Sequence, residues 1–240
     1  MSSEFVIAFY VKDMKLGNMS EYRKAVIYDL LDNGWRYSKD TGGFWDEDKD
    51  DHQPEWKLPD IPSNERIKRA LNIISKQAYG ALNLEFNLLN NFEVGTLNIG
   101  FIKESQNWIE IIFSFDARVL YNKKYPKTID ELVKNVINPL WEITLAEVGY
   151  AGQPDGYLLT TPSLEDLENV KIPGYSTLLI LGDKYIRKYG KETLISLPSV
   201  KTWELSREGL CIYIPDKTSN PDIESAFQRL LERGKSGENR

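Results

Sequence analysis

The chain has 240 residues, of which 41% are hydrophobic and 28% charged, and a formal net charge of −6. That mix excludes wholesale disorder, and a chain of this length buries roughly 70–75% of its unfolded surface without staples. The acidic balance disfavours a nucleic-acid partner, whose phosphates it would repel, and a single Cys211 and a single His52 exclude an intrachain disulfide and any Cys-rich or His-based metal site.

Residues 4–12 open with EFVIAFYVK, almost wholly apolar on both alternating faces. That is the pattern of a central strand covered on both sides. Ser20 caps a predicted helix over 21–33, striped by Tyr22, Val26, Ile27, Leu30 and Leu31 and stopped at Asn33-Gly34. Next comes FWDEDKDDHQPEWKLPD, residues 44–60, read as a long loop broken by Pro54 and Pro59. Seven carboxylates against Lys49 and Lys57 give it a net charge of −5, leaving −1 for all the rest of the chain. Ser63 caps a second helix, 64–79, with Gly80 as its stop.

Three strands follow, at 82–89, 95–102 and 108–121, with clean apolar–polar alternation and short connections. This predicts an antiparallel meander with one wet face, carrying Asn83, Glu85, Asn87, Asn98, Glu110, Ser114, Asp116 and Arg118. Thr128 and Glu131 form a capping-box pair at the start of a broad apolar helix that Pro139 kinks or divides. Residues 149–162, GYAGQPDGYLLTTP, read as a turn-rich boundary. Beyond it the pattern gives a short helix at 164–170 capped by Ser163, a strand at 176–181 and a short helix closed by Gly190. An extended stretch to Leu205, a turn at 207–209, a strand at 210–214 and a last helix from Asn220-Pro221 to Gly234 complete the chain.

A catalytic signature is harder to find. G-x-x-x-x-G-K-[ST], G-x-G-x-x-G and G-x-S-x-G are all absent. A Cys211–His52 dyad is formally allowed, but Cys211 alternates with apolar neighbours as a packed cysteine does. Asp46, Asp48 and Asp50 have the spacing of the first EF-hand ligands, yet the sixth position is Asp51 instead of Gly and the twelfth is Lys57 instead of Glu. No metal ligand and no cofactor is assigned.

The segment LLILGDKYIRKYGKETLISLPSVKTWELSREGLCIYI, residues 178–214, joins a short helix, a glycine, Glu192-x-Leu194, a strand, an Arg-Glu-Gly turn and a closing strand. This arrangement resembles immunity proteins of bacterial polymorphic-toxin and type VI secretion systems. The resemblance implies an acidic cytoplasmic α+β protein that neutralises a toxin by occluding it, and it transfers no individual residue.

The expected fold is therefore α+β, a mainly antiparallel sheet with helices packed on one face, with room for two similar halves. Residues 1–150 form the first part, with the acidic loop at 40–62. Residues 151–234 form a smaller part packed on the first, or both make one domain, and 235–240 are a tail. The expected function is a non-catalytic acidic binding protein that inhibits a basic protein partner such as a toxin, with no nucleic acid and no membrane involved. Its partner-binding residues are Trp45, Asp46, Glu47, Asp48, Asp50, Asp51, Glu55 and Trp56, rings to anchor and carboxylates to steer. Two alternatives stand beside it: a carboxylate-dependent hydrolase working on the polar sheet face, and an assembly or scaffold protein of a phage or bacterial system. With no signal-peptide pattern in MSSEFVIAFYVKD and no run of 18 apolar residues, a soluble cytoplasmic protein is expected.

Overall fold

The computed structural model describes residues 4–12, 19–37, 43–46, 51–54, 63–74, 79–101, 107–120, 128–153, 161–174, 176–198, 200–214 and 221–236. Eleven strands form one sheet: β1 (Glu4–Lys12), β2 (Arg36–Tyr37), β3 (Gly43–Asp46), β4 (Asp51–Pro54), β5 (Tyr79–Leu88), β6 (Asn91–Phe101), β7 (Trp108–Asp116), β8 (Val148–Gly152), β9 (Leu178–Leu181), β10 (Lys201–Leu205) and β11 (Gly209–Tyr213). Their order is β10-β11-β9-β8-β1-β7-β6-β5-β3-β4, with β2 also paired to β5, and every pairing is antiparallel.

The α+β class and the antiparallel sheet are those the alternation predicts. β1 is the pivot, flanked by β7 and β8, with every residue from Phe5 to Val11 buried. Phe5, Ile7, Phe9 and Val11 enter one core; Ala8 and Tyr10 enter another across the sheet.

The helices divide between those two cores. On the first face lie α1 (Met19–Asp32), α2 (Ser63–Ile74), α3 (Thr128–Leu132) and α4 (Asn138–Thr144), through Tyr22, Ile67, Leu132 and Trp141 among others. On the second lie α5 (Leu164–Glu168), α6 (Asp183–Tyr189), α7 (Lys191–Ile195) and α8 (Pro221–Ser236), through Leu167, Tyr185, Leu194 and Phe227. The expectation of helices on one face is thus corrected. It holds for β5, β6 and the part of β7 beyond Trp108; Trp108 itself, at the start of β7, enters the second core and meets α5. It fails for β8, β9 and β11, which are buried on both faces and so require a cover on each.

Four local readings also change. Residues 149–152, read as the start of a boundary loop, belong to the central strand β8, and the sheet runs through them from β1 to β9. The glycine there marks close approach and not a turn: a Cβ on Gly149 would lie 2.7 Å from Cδ1 of Phe9. Residues 191–195, read as extended, form α7. Gly80, read as a helix stop, lies within β5, and β5 turns into β6 through Leu89 and Asn90, both at positive φ (54° and 66°), so β6 starts four residues earlier than predicted.

Pro139 neither breaks nor simply kinks its helix. The chain passes from α3 through a π-helical turn, Val133–Ile137, into α4, and this wider turn absorbs the missing proline N–H while keeping Val133, Val136, Ile137, Leu140 and Trp141 buried. The two parts of the chain do not repeat one another. Outward from the centre the first runs β1, β7, β6, β5 and the second β8, β9, β11, β10, so their connections differ. No helix among the described residues is long and apolar enough to cross a membrane.

Candidate functional site

The uncovered face of β5–β7 is laid out by register. Tyr10 stands opposite Glu110, Val6 opposite Ser114 and Glu4 opposite Asp116; Ser114 pairs with Thr96 and Thr96 with Asn83; Val94 pairs with Glu85 and Glu85 with Arg36. Tyr10 Oη donates to Glu110 Oε1 at 2.8 Å, and burial, with Glu110 adding to it, pushes the phenol far above its ordinary value. Thr96 Oγ1 donates to Asn83 Oδ1 at 2.9 Å. Asn98 Oδ1 has no hydrogen-bond partner.

At one end of this face the carboxylates gather. Glu4 and Asp116 are directly opposed, an arrangement of like charges that costs stability on its own. Arg118 answers it: its Nε donates to both Asp116 oxygens at 2.9 Å, its Nη2 completes the fork, and its backbone N–H also donates to Asp116. These hydrogen bonds hold the Asp116 carboxyl below its usual value, while burial, together with Asp116, raises Glu93. Beside them Phe92 and Val94 are 44% and 38% exposed, and the Arg36 guanidinium lies 4.2 Å from the Phe92 ring centroid. Sequence reasoning missed Phe92 and Val94 because residues 90–94 read as a connection, and Arg36 because its pairing with Glu85 is distant in sequence. The signal was the alternation Phe92-x-Val94-x-Thr96, which extends the strand backwards.

The acid-rich segment joins the same sheet. Residues 43–46 and 51–54 are not loop: β3 pairs with β4 in the register Gly43↔Pro54, Phe44↔Gln53, Trp45↔His52, Asp46↔Asp51, and Phe44 pairs with Leu82 of β5. The β3–β4 pair stands at the edge of the sheet nearest the uncovered face. Of the predicted partner-binding residues, Trp45, Asp46 and Asp51 are placed by backbone alone, while Glu47, Asp48, Asp50, Glu55 and Trp56 lie outside the described residues.

Neither a family model, nor a curated protein, nor a solved structure matches the chain.

The geometry decides among the chemical options. Cys211 lies on β11 and His52 on β4, eight strand steps apart in the sheet order. At about 4.8 Å per step that is on the order of 38 Å, which rules out a dyad. Burial pushes the Cys211 thiol far up, so it is a packed group and no nucleophile. Glu110 and Asp116 sit six residues apart along one strand, about 20 Å. A pair flanking a glycosidic bond stands about 5–9.5 Å apart, so these two cannot share one. Among the described residues no group of three or more His, Cys, Asp and Glu is placed to hold a metal ion. The strongest shifts elsewhere belong to Tyr22, Tyr150 and Tyr185, all raised chiefly by burial inside the cores.

Proposed function

We propose that this protein is a non-catalytic binding protein that captures and occludes a basic protein partner, in the manner of an immunity protein acting on a toxin. The observation that carries this reading is the position of the acid-rich segment. Residues 44–60 carry −5 of the chain's −6, and the described parts of that stretch, β3 and β4, pair with each other and onto β5, next to a part of the sheet that no described helix covers. That neighbouring face adds Glu4, Glu85, Glu110 and Asp116 against Arg36 and Arg118, a further net charge of −2, and brings half-exposed Phe92 and Val94 beside them. Carboxylates at an edge steer a cationic partner; exposed apolar side chains amid polar ones retain it. The resemblance of residues 178–214 to immunity proteins supports the same reading, and a bacterial, cytoplasmic setting belongs to it.

The test is kinetic. Replacing Asp46, Asp48, Asp50 and Asp51 together by Asn should slow association with the basic partner, recovered by pull-down at low salt, by about tenfold or more, and should flatten the salt dependence of that rate. Dissociation should change little. An association rate equal to wild type at low salt would remove the hairpin from the mechanism.

A further inference from the structure

On the helical side of the sheet, away from the hairpin and the uncovered face, α1 and α4 leave a groove of about 490 Å³ between them. Its walls are mainly apolar: Ala25 and Val26 from α1, Pro139, Ile143 and Leu145 from α4 and its cap. One end is closed by Tyr22, whose Oη donates to the Thr144 carbonyl at 2.6 Å, so the two helices are fixed to each other there. Asp29 and Glu142 bring one carboxylate from each helix to this apolar floor.

No described cation closes on either carboxylate in a salt bridge. Arg207 lies within electrostatic reach of Glu142, but its guanidinium stacks over Trp141 and donates to the Trp141 carbonyl at 2.9 Å. Asp29 is also badly placed for stability. It sits in the last turn of α1, where the helix dipole is negative, and that turn holds no basic residue to offset it. Leu145 repeats the pattern. It caps α4 in the left-handed region (φ 56°, ψ 28°), where glycine is the usual choice, yet it is an apolar side chain 39% exposed at the groove. Two residues that local folding rules disfavour thus border one groove.

We infer that the α1–α4 groove docks an arginine- or lysine-bearing segment of a protein partner, its aliphatic stem against Pro139, Ile143 and Leu145 and its cation between Asp29 and Glu142. Such side chains suit a floor that is apolar beneath and anionic above, because their methylene stem and charged head separate along one axis. The inference stands independently of the hairpin: it needs neither the acid-rich segment nor the uncovered face.

The probe is a fluorescein-labelled hexapeptide of alternating Arg and Ala, titrated with the full chain and followed by anisotropy, with a Glu–Ala hexapeptide as control. Wild type should bind the first and not the second. D29N/E142Q should weaken binding about tenfold or more, without lowering the thermal midpoint, since Asp29 opposes its own helix. Leu145→Asn, which tolerates the left-handed backbone, should weaken binding while the fold stays intact. E165Q/E192Q, which removes two exposed carboxylates outside the groove, should bind as wild type does. If that control weakens the peptide as much as D29N/E142Q does, or if D29N/E142Q binds unchanged, or if wild type does not bind, the groove has no such role. None of these results alters the kinetic test of the hairpin, so the two readings fail separately.

Discussion

Glu168 illustrates how single side chains fasten the layers. At the end of α5 it accepts the Trp108 indole N–H at 2.8 Å and the Lys12 ammonium at 3.1 Å, tying a five-residue helix to β7 and β1. The Trp108 hydrogen bond, then that of Lys12, holds its carboxyl below the ordinary value of 4.5. A carboxyl whose folded value is depressed adds stability that is present above the unfolded value and vanishes as pH falls through the folded one. Urea unfolding between pH 7 and pH 3 should therefore show a loss of stability beginning below about pH 4.5, and Glu168→Gln should flatten that limb. An unchanged slope would mean that the three-way contact contributes nothing in solution. Glu93 acts with the opposite sign. Its carboxyl is raised by burial and by Asp116, so its share is greatest at low pH and is lost as pH rises through its folded value.

Short elements here borrow their order from the core. Five residues cannot sustain a helix in water, so α7 owes its existence to Leu194, which is fully buried in the second core. Leu194→Ala should cost about 2–5 kcal/mol in a denaturant titration, well above the effect of truncating its exposed neighbour Ile195. The same dependence explains what was legible in the sequence. β1 and β5–β7 carried their own periodicity, and Ser163 was legible as a cap; the structure adds that Asp166 completes a capping box with it, both reciprocal hydrogen bonds formed. β8 did not: Gly149 and Gly152 look like turn residues until β1 pairs with them, Phe9 meeting Gly149 from 140 positions away in the chain. α7 was hidden by β-branched Thr193 and Ile195, and the π-helical turn by a proline whose usual effect is a break. Of the candidate site, the charge of the hairpin was legible, while its pairing to β5 and the α1–α4 groove were not, since both depend on partners distant in sequence.

For the whole molecule the decisive fact is that β1 bonds to β7 on one side and β8 on the other. The two parts of the chain therefore share backbone hydrogen bonds and a common pair of cores, instead of meeting across a surface. Unfolding followed by tryptophan fluorescence and by far-ultraviolet circular dichroism should give coincident transitions with one midpoint. Two separated midpoints would mean that the β1–β8 seam opens before the rest.

That seam also sets an order of events at the ribosome. β1 emerges before any strand that will bond to it. Its second neighbour is complete only at Gly152, about 140 residues after Lys12, which at 5–20 residues per second is roughly 7–28 s of translation. Throughout that interval the nascent chain displays FVIAFYV, an uncharged, proline-free run of high β-propensity, the composition that seeds aggregation. The innermost strand of this sheet is thus the one that waits longest for company, and slower translation lengthens the time it stays open to other chains.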